Sequence, residues 1–268
     1  MPPVYHVDFP DVYNSKLSVD DEVARCVTQL ENLFHSVLAP SQVACIVVEP
    51  VQGEGGYLPA PKTFLEKLRA ICDEHGILLI FDEIQSGYGR TGHLFAKDYY
   101  GVQPDILTSA KGIANGIPLS AVIGKSEYMD QWEPGAHGGT FGGNPLACAA
   151  GNAVLDIMND DFLGNVRQKG TYFKEKLELL ANKYDVISSV RGLGLMIGVE
   201  FRNPQTNEPA TELVTKIRAE ALNEHLILLN CGVFHNVIRF IPPLIVSYDV
   251  IDKALEIIDR SVAKSLTQ

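Results

Sequence analysis

What this chain lacks narrows its roles before any motif is read. Its longest apolar runs, such as residues 77–81, are strand-sized and far below the roughly 20 residues a membrane-spanning helix needs, so no membrane role is expected. Positive charge is scarce: 22 Lys and Arg stand against 33 Asp and Glu, a formal net charge of −11. That balance repels a phosphate backbone and argues against nucleic acid as a partner. Cysteine is sparse and odd in number, with Cys26, Cys45, Cys72, Cys148 and Cys231 showing no two-residue spacing of a zinc or redox motif. All five are expected to be small buried hydrophobes. The histidines lack metal-ligand spacing, so no metal site is indicated. Residues Met1 to Asp8 carry no basic region ahead of an apolar run, which predicts no secretory leader and a cytoplasmic location. Repeats and low-complexity tracts are missing, and 46% hydrophobic residues suit one large or two ordinary domains.

What is present is strand-helix-strand alternation. Val43 to Val48 is a continuous apolar run ending in Glu49-Pro50, as a buried strand of a parallel sheet would read. Pro61 opens a helix with apolar Phe64, Leu65, Leu68, Ile71 and Cys72, and Gly76 sits at its C-terminal cap. Ile77 to Phe81 predicts a second buried strand. Pro104 to Ser109 and Leu119 to Gly124 continue the alternation, so an α/β domain with a mostly parallel sheet is expected. A helix from about Leu146 to Met158 leads to a boundary near residue 160. Beyond it Val190 to Phe201, Ile227 to Asn230 and Val237 to Phe240 read as strands, and a last helix follows Ser247. Residues 161–268 are therefore expected to form a smaller α+β domain.

Ligands of open α/β sheets bind at the carboxyl ends of strands, so polar residues directly after apolar runs are the first candidates for chemistry. Glu49, Asp82 and Lys111 occupy such positions. Asp82 is a turn cap or a charge aimed at a ligand. The acidic end of Leu78–Glu83 also suits a nucleotidase, but that enzyme needs a glycine five positions before Gly124-Lys125-Ser126, where Leu119 stands instead. Lys111, beside Ala110 and Gly112, is a solvated surface group or, in a partly apolar crevice, an imine-forming nucleophile. A lysine for an aldehyde and a carboxylate for a ring nitrogen suit a carbonyl cofactor with a pyridine ring. Arg239 lies between apolar Ile238 and Phe240, a costly place for a guanidinium unless a carboxylate meets it.

Val43 to Gly56, Phe81-Asp82-Glu83-Ile84-Gln85-Ser86-Gly87 with Gly89-Arg90-Thr91-Gly92, Lys111-Gly112, and His137 to Pro145 together resemble the class III pyridoxal-phosphate aminotransferases of fold type I. The tail from Leu226 to Leu244 is similar to the 4-aminobutyrate branch of that family. The resemblance implies pyridoxal 5′-phosphate as cofactor, with Lys111 as the Schiff-base lysine, Asp82 as partner of the ring nitrogen, Gln85 beside the phenolic oxygen and Ile84 against the ring. It implies that Thr140 reaches the cofactor phosphate of a neighbouring subunit, hence a homodimer. Arg239 then binds the α-carboxylate of glutamate or 2-oxoglutarate, Glu54 pairs with Arg239 when the substrate has no α-carboxylate, and Glu49 faces the substrate or holds its Glu-Pro turn.

The activity so implied is ping-pong transamination from an ω-amino donor, 4-aminobutyrate foremost, to 2-oxoglutarate. Ornithine, acetylornithine and putrescine aminotransferases share most of these motifs. Class III enzymes also carry a segment, ahead of the point matching Met1, that holds the phosphate cradle and the donor-selecting residues. The resemblance therefore predicts an incomplete fold type I large domain over 1–160, with the small domain over 161–268. It also leaves open an inactive or partner-dependent short form.

Overall fold

Apolar spacing sets the elements of the computed structural model, which describes residues 3–267. Helix α1 (Val19–Ser36) buries Val23, Cys26, Val27 and Leu30, one face at three-and-four spacing, and Ser18 Oγ caps it by accepting from Asp21 N. Strands β1 (Cys45–Val48), β2 (Val51–Gln52) and β3 (Leu58–Pro59) lead to α2 (Lys62–His75), which ends at left-handed Gly76. Then come β4 (Leu78–Asp82), α3 (Ala96–Tyr100), β5 (Ile106–Ser109), β6 (Ala121–Gly124), α4 (Ser126–Met129) and α5 (Pro145–Ile157). The remainder is α6 (Asp160–Lys183), β7 (Ile187–Leu193), β8 (Met196–Phe201), α7 (Thr211–Asn223), β9 (Leu229–Cys231), β10 (Val237–Phe240) and α8 (Tyr248–Leu266).

These elements form two units. The first comprises the chain up to Pro50, Ala60–Gly87 and Phe95–Asp156. The second comprises Val51–Pro59, Tyr88–Leu94 and the chain from Ile157 onward. Two short segments of the second unit thus come from within the stretch that the sequence assigns to the first domain.

The first unit holds a four-stranded sheet in the order β1-β4-β5-β6. Strands β1, β4 and β5 are parallel, whereas β6 runs antiparallel to β5. The link between β5 and β6 contains only a 3-10 turn and no crossover helix, which is why β6 turns back. Leu79, Phe81 and Leu107 share the buried face. On the other face Val47 is 60% and Val122 49% exposed. The expected burial of the whole run Val43–Val48 is therefore corrected: β1 is an edge strand, and Cys45 and Val47 lie on its uncovered face. The cysteine expectation needs the same correction. Cys26, Cys72 and Cys231 are buried, and burial pushes their thiols up to about 11, 11 and 12, but Cys45 and Cys148 are exposed.

Asp105, buried just ahead of β5, ties this unit together. Its carboxylate accepts from Arg69 Nη1 of α2 at 2.7 Å, from Lys125 Nζ beyond β6 at 2.6 Å and from Leu79 N of β4 at 2.8 Å. Burial alone would raise its pKa, but the three donors outweigh it and hold the carboxyl below the usual carboxylate range. A depressed folded-state pKa stabilises above the unfolded value, near 4, and the benefit disappears as pH falls through the folded value. Asp105→Asn should lower unfolding free energy at pH 7 by about 2 kcal/mol. In urea titrations that gap should close as the pH falls below about 4; a gap independent of pH would contradict the role.

The second unit is an antiparallel sheet in the order β7-β8-β10-β9. One face, with Ile197, Val199, Phe201, Ile238 and Phe240, packs on buried side chains of α6, α7 and α8, among them Phe173, Ile217 and Ile258. The opposite face carries Met196, Cys231 and Val237, which pack on Val51 and Tyr57. The segment 88–94 is bound as firmly: Arg90 Nη1 donates to Pro242 O at 2.6 Å, Leu195 N donates to Arg90 O at 3.0 Å, and Arg167 Nη1 donates to Gly92 O at 2.6 Å. A Cβ on Gly92, whose φ is +84°, would fall 2.4 Å from Arg167 Cγ, so the glycine here is steric. No helix among the described residues is long and apolar enough to cross a membrane.

Candidate active site

Asp82 is the last residue of β4 and pairs in register with Thr108 of β5. Lys111 opens the 3-10 turn Lys111–Ala114 just past β5. Carboxylate and lysine thus stand at the carboxyl ends of neighbouring parallel strands, where open α/β sheets bind ligands. Lys111 has an exposed side chain and a φ of +47°, a left-handed conformation that a residue with a Cβ adopts at a cost of order 1 kcal/mol. Stored backbone strain of this kind collects at functional positions. Just before it in the chain, the hydroxyl oxygens of Thr108 and Ser109 are buried with no hydrogen-bond partner among the described residues, an arrangement that native interiors rarely tolerate without a ligand or an ordered water. Thr108 shares the sheet face of Asp82 by register.

The turn after β4 is fixed from within. Asp82 Oδ1 accepts from Ile84 N at 3.0 Å. Glu83, fully buried, accepts from Ala96 N at 2.6 Å, Lys97 N at 2.7 Å and Ser86 Oγ at 2.9 Å, capping α3. Burial nevertheless holds the Glu83 carboxyl above the usual range. Ile84 and Gln85 are half-buried on this turn. Glu49 is half-buried directly after β1, again at a carboxyl end. Thr140 lies apart from these in the exposed turn Gly138–Gly143, whose Gly142 and Gly143 line, with Phe141 and residues 118–120, an open cavity of about 410 Å³. Among the described residues no group of His, Cys, Asp and Glu could hold a metal ion.

In the second unit, register places Arg191 of β7, Gly198 of β8 and Arg239 of β10 in one row across three strands. The loop between β2 and β3 lies over Gly198: a Cβ there would meet Tyr57 Cβ at 2.9 Å and the Gly56 carbonyl oxygen at 3.2 Å. Glu54, at the tip of that loop, makes an ion pair with Arg239, whose side chain is 15% exposed while that of Glu54 is 73% exposed. Its own carbonyl accepts from Gly232 N at 2.8 Å. Arg239 Nε is buried and has no hydrogen-bond partner among the described residues, so the guanidinium retains a donor for a second carboxylate oxygen. Arg191, Gly198 and Glu200 were absent from the sequence-level candidates, although Arg191 and Glu200 carry the same signal as Arg239, a charge set among apolar residues of a strand.

The residues of the first unit fit pyridoxal 5′-phosphate: an amine for the carbonyl, a carboxylate for the ring nitrogen, and the orphaned Thr108 hydroxyl on the sheet face of Asp82. The family described as Aminotransferase class-III matches residues 1–262. The chain is 44% identical over 262 residues to 5-aminovalerate aminotransferase DavT of Pseudomonas putida, covering 97% of this chain and 60% of that one. It is 45% identical over 246 residues to 4-aminobutyrate aminotransferase GabT of Escherichia coli, covering 91% and 57%. Its fold matches an amine transaminase from an uncultivated Pseudomonas species, solved with pyridoxal phosphate bound, at a TM-score of 0.88 and 34% identity over 97% of this chain and 61% of that one. The chain thus spans about three fifths of the length of these relatives. Family and cofactor-bound relative indicate pyridoxal 5′-phosphate as the cofactor. A strained lysine and a carboxylate at adjacent strand ends, in a chain that the family matches almost from end to end, make this protein a member of the class III aminotransferases.

Proposed function

We propose that the protein transfers an ω-amino group, that of 4-aminobutyrate foremost, to 2-oxoglutarate in a ping-pong cycle. The pairing of Glu54 with Arg239 carries the substrate assignment. An ω-amino donor brings no carboxylate to the carbon that reacts, whereas 2-oxoglutarate does. A pocket serving both must offer a guanidinium in one half-reaction and keep it neutralised in the other, because an unpaired charge of low exposure is costly. Glu54, on an exposed loop tip, supplies the neutralising carboxylate and can yield to a substrate carboxylate.

Pyridoxal phosphate, when bound, supplies a protonated ring that takes up the charge left on the amino-bearing carbon. Lys111 Nζ is the group to hold its carbonyl and to carry the proton from the donor carbon. Asp82 would keep the ring nitrogen protonated, and Gln85 and Ile84 on the turn after β4 would help to hold the ring. Thr140, exposed in an open glycine-rich turn, would serve the phosphate held by a second copy, an arrangement in which the sites are shared in a homodimer. Glu49 faces the substrate. Relatives named for 4-aminobutyrate and 5-aminovalerate support an ω-amino acid donor.

The test is glutamate formation from 2-oxoglutarate with a panel of 4-aminobutyrate, 5-aminovalerate, ornithine, acetylornithine and putrescine. The ω-amino acids should give the highest kcat/KM. A clear preference for putrescine or acetylornithine would overturn the donor assignment, and no glutamate with any donor would overturn activity of the chain on its own. A second reading, that the chain acts only with further polypeptide, draws on exposed apolar Val47, Val122 and Leu146 of the first unit. Turnover by the isolated 268-residue chain refutes it.

A further inference from the structure

Arg191 is 2% exposed, and its guanidinium reaches in three directions. Nη1 pairs with Glu200 and donates to Ser189 Oγ at 2.6 Å, while Nε donates to the Gly56 carbonyl at 3.0 Å. Glu200 is itself held by Arg202 Nε at 2.7 Å and Asn236 Nδ2 at 3.2 Å. Arg191 is therefore anchored independently of the loop that it touches. That loop is held at two points: Gly56 O by Arg191 and Glu54 O by Gly232 N. Between and beyond them Gly56 and Tyr57 adopt positive φ of 125° and 55°, and Tyr57 is fully buried over Gly198.

We infer that Arg191 is a positioning residue for the carboxylate subsite: by holding the Gly56 carbonyl it keeps the loop where Glu54 occupies Arg239 until a substrate carboxylate displaces it. The inference rests on the transaminase reading of Glu54 and Arg239 and deepens it. A largely exposed carboxylate holds a guanidinium weakly, since water and side-chain entropy compete for it. Fixing the backbone beneath Glu54 lowers that entropic cost before the pair forms. Occupancy of Arg239 by Glu54, and with it the balance between dicarboxylate and ω-amino substrates, then depends on a residue that touches neither substrate. Arg191 and Arg239 flank Gly198 in one cross-strand row, so the loop bridges two arginines, each with its own carboxylate.

Calorimetric binding of glutarate to the cofactor-loaded protein tests this through a double-mutant cycle. Arg191→Lys keeps the charge opposite Glu200, but one ammonium cannot serve Glu200, Ser189 and the Gly56 carbonyl together. Glu54→Ala should tighten glutarate binding about fivefold or more by clearing Arg239. Arg191→Lys should tighten it in the same direction, and the double variant should bind no tighter than Glu54→Ala alone. Gly198→Ala, which displaces the loop without altering charge, should shift binding as Arg191→Lys does. Loss of packing alone would weaken binding, not tighten it. Tightening by Glu54→Ala with unchanged affinity in Arg191→Lys and Gly198→Ala, or effects that simply add, overturns the role of Arg191. Glutarate binding that is absent, or indifferent to Glu54→Ala, overturns the carboxylate-subsite reading and this inference with it.

Discussion

Lys111→Gly should abolish transamination and at the same time make the protein more stable. The two effects have separate origins in one residue. The side chain is the amine that the proposed chemistry requires, and removing a positioned proton carrier costs on the order of 10²–10⁴-fold in rate, apart from the lost attachment of the cofactor. The backbone holds a φ of +47°, which glycine adopts at little cost, so relief of strain should stabilise by about 1 kcal/mol. Lys111→Ala shares the loss of activity without the gain, because alanine keeps the Cβ. Borohydride reduction after incubation with pyridoxal phosphate, followed by peptide mass mapping, should mark the peptide containing Lys111 in the unaltered protein and in neither variant. Urea midpoints should rank glycine above lysine. Labelling spread over other lysines in all three proteins would refute the assignment. A glycine variant less stable than the parent would show that the positive φ is not a strain.

How much of this was legible beforehand depended on whether the signal was local. Helix α2 was readable to within a residue, since Pro61, the apolar spacing from Phe64 to Cys72 and Gly76 are all local instructions. Strand β10 was readable because Val237, Ile238 and Phe240 are strand-forming residues in one short run, and Arg239 stood out as the charge set within it. Asp82 and Lys111 were singled out by their place after such runs, yet nothing local said that β4 and β5 are neighbours or that Lys111 has a left-handed backbone. Burial of β1 was misread because an edge strand and a central strand share one composition; only sheet order separates them. The row Arg191–Gly198–Arg239 was invisible for a similar reason, as antiparallel register joins residues far apart in the chain. Of the motif Gly89-Arg90-Thr91-Gly92, which carries part of the family resemblance, the Arg90 side chain donates to the carbonyls of Leu195 and Pro242 and the Gly92 carbonyl accepts from Arg167, partners far along the chain that no local signal names.

Glu200→Ala should be among the most destabilising single changes in the second unit, at about 3–5 kcal/mol. The substitution leaves Arg191, 2% exposed, without its carboxylate and removes the acceptor of Arg202 Nε, whereas Asn236 Nδ2 keeps its 2.9 Å bond to Phe201 O. Domains have only about 5–15 kcal/mol in hand, so the loss should appear as a large fall in urea midpoint with an unchanged slope. Glu200→Gln, of the same shape with a neutral acceptor, should fall between the two. The double variant Arg191→Met, Glu200→Leu should recover much of the loss, because a buried charge without its partner is what costs, and apolar groups of similar volume remove both charges. If the double variant is as unstable as Glu200→Ala, packing and not the orphaned arginine accounts for the loss. Recovery of stability in that double variant also leaves the Gly56 carbonyl without Arg191 in a folded protein. Its glutarate affinity should then follow that of Arg191→Lys, which separates the part of this network that holds the sheet together from the part that holds Glu54 on Arg239.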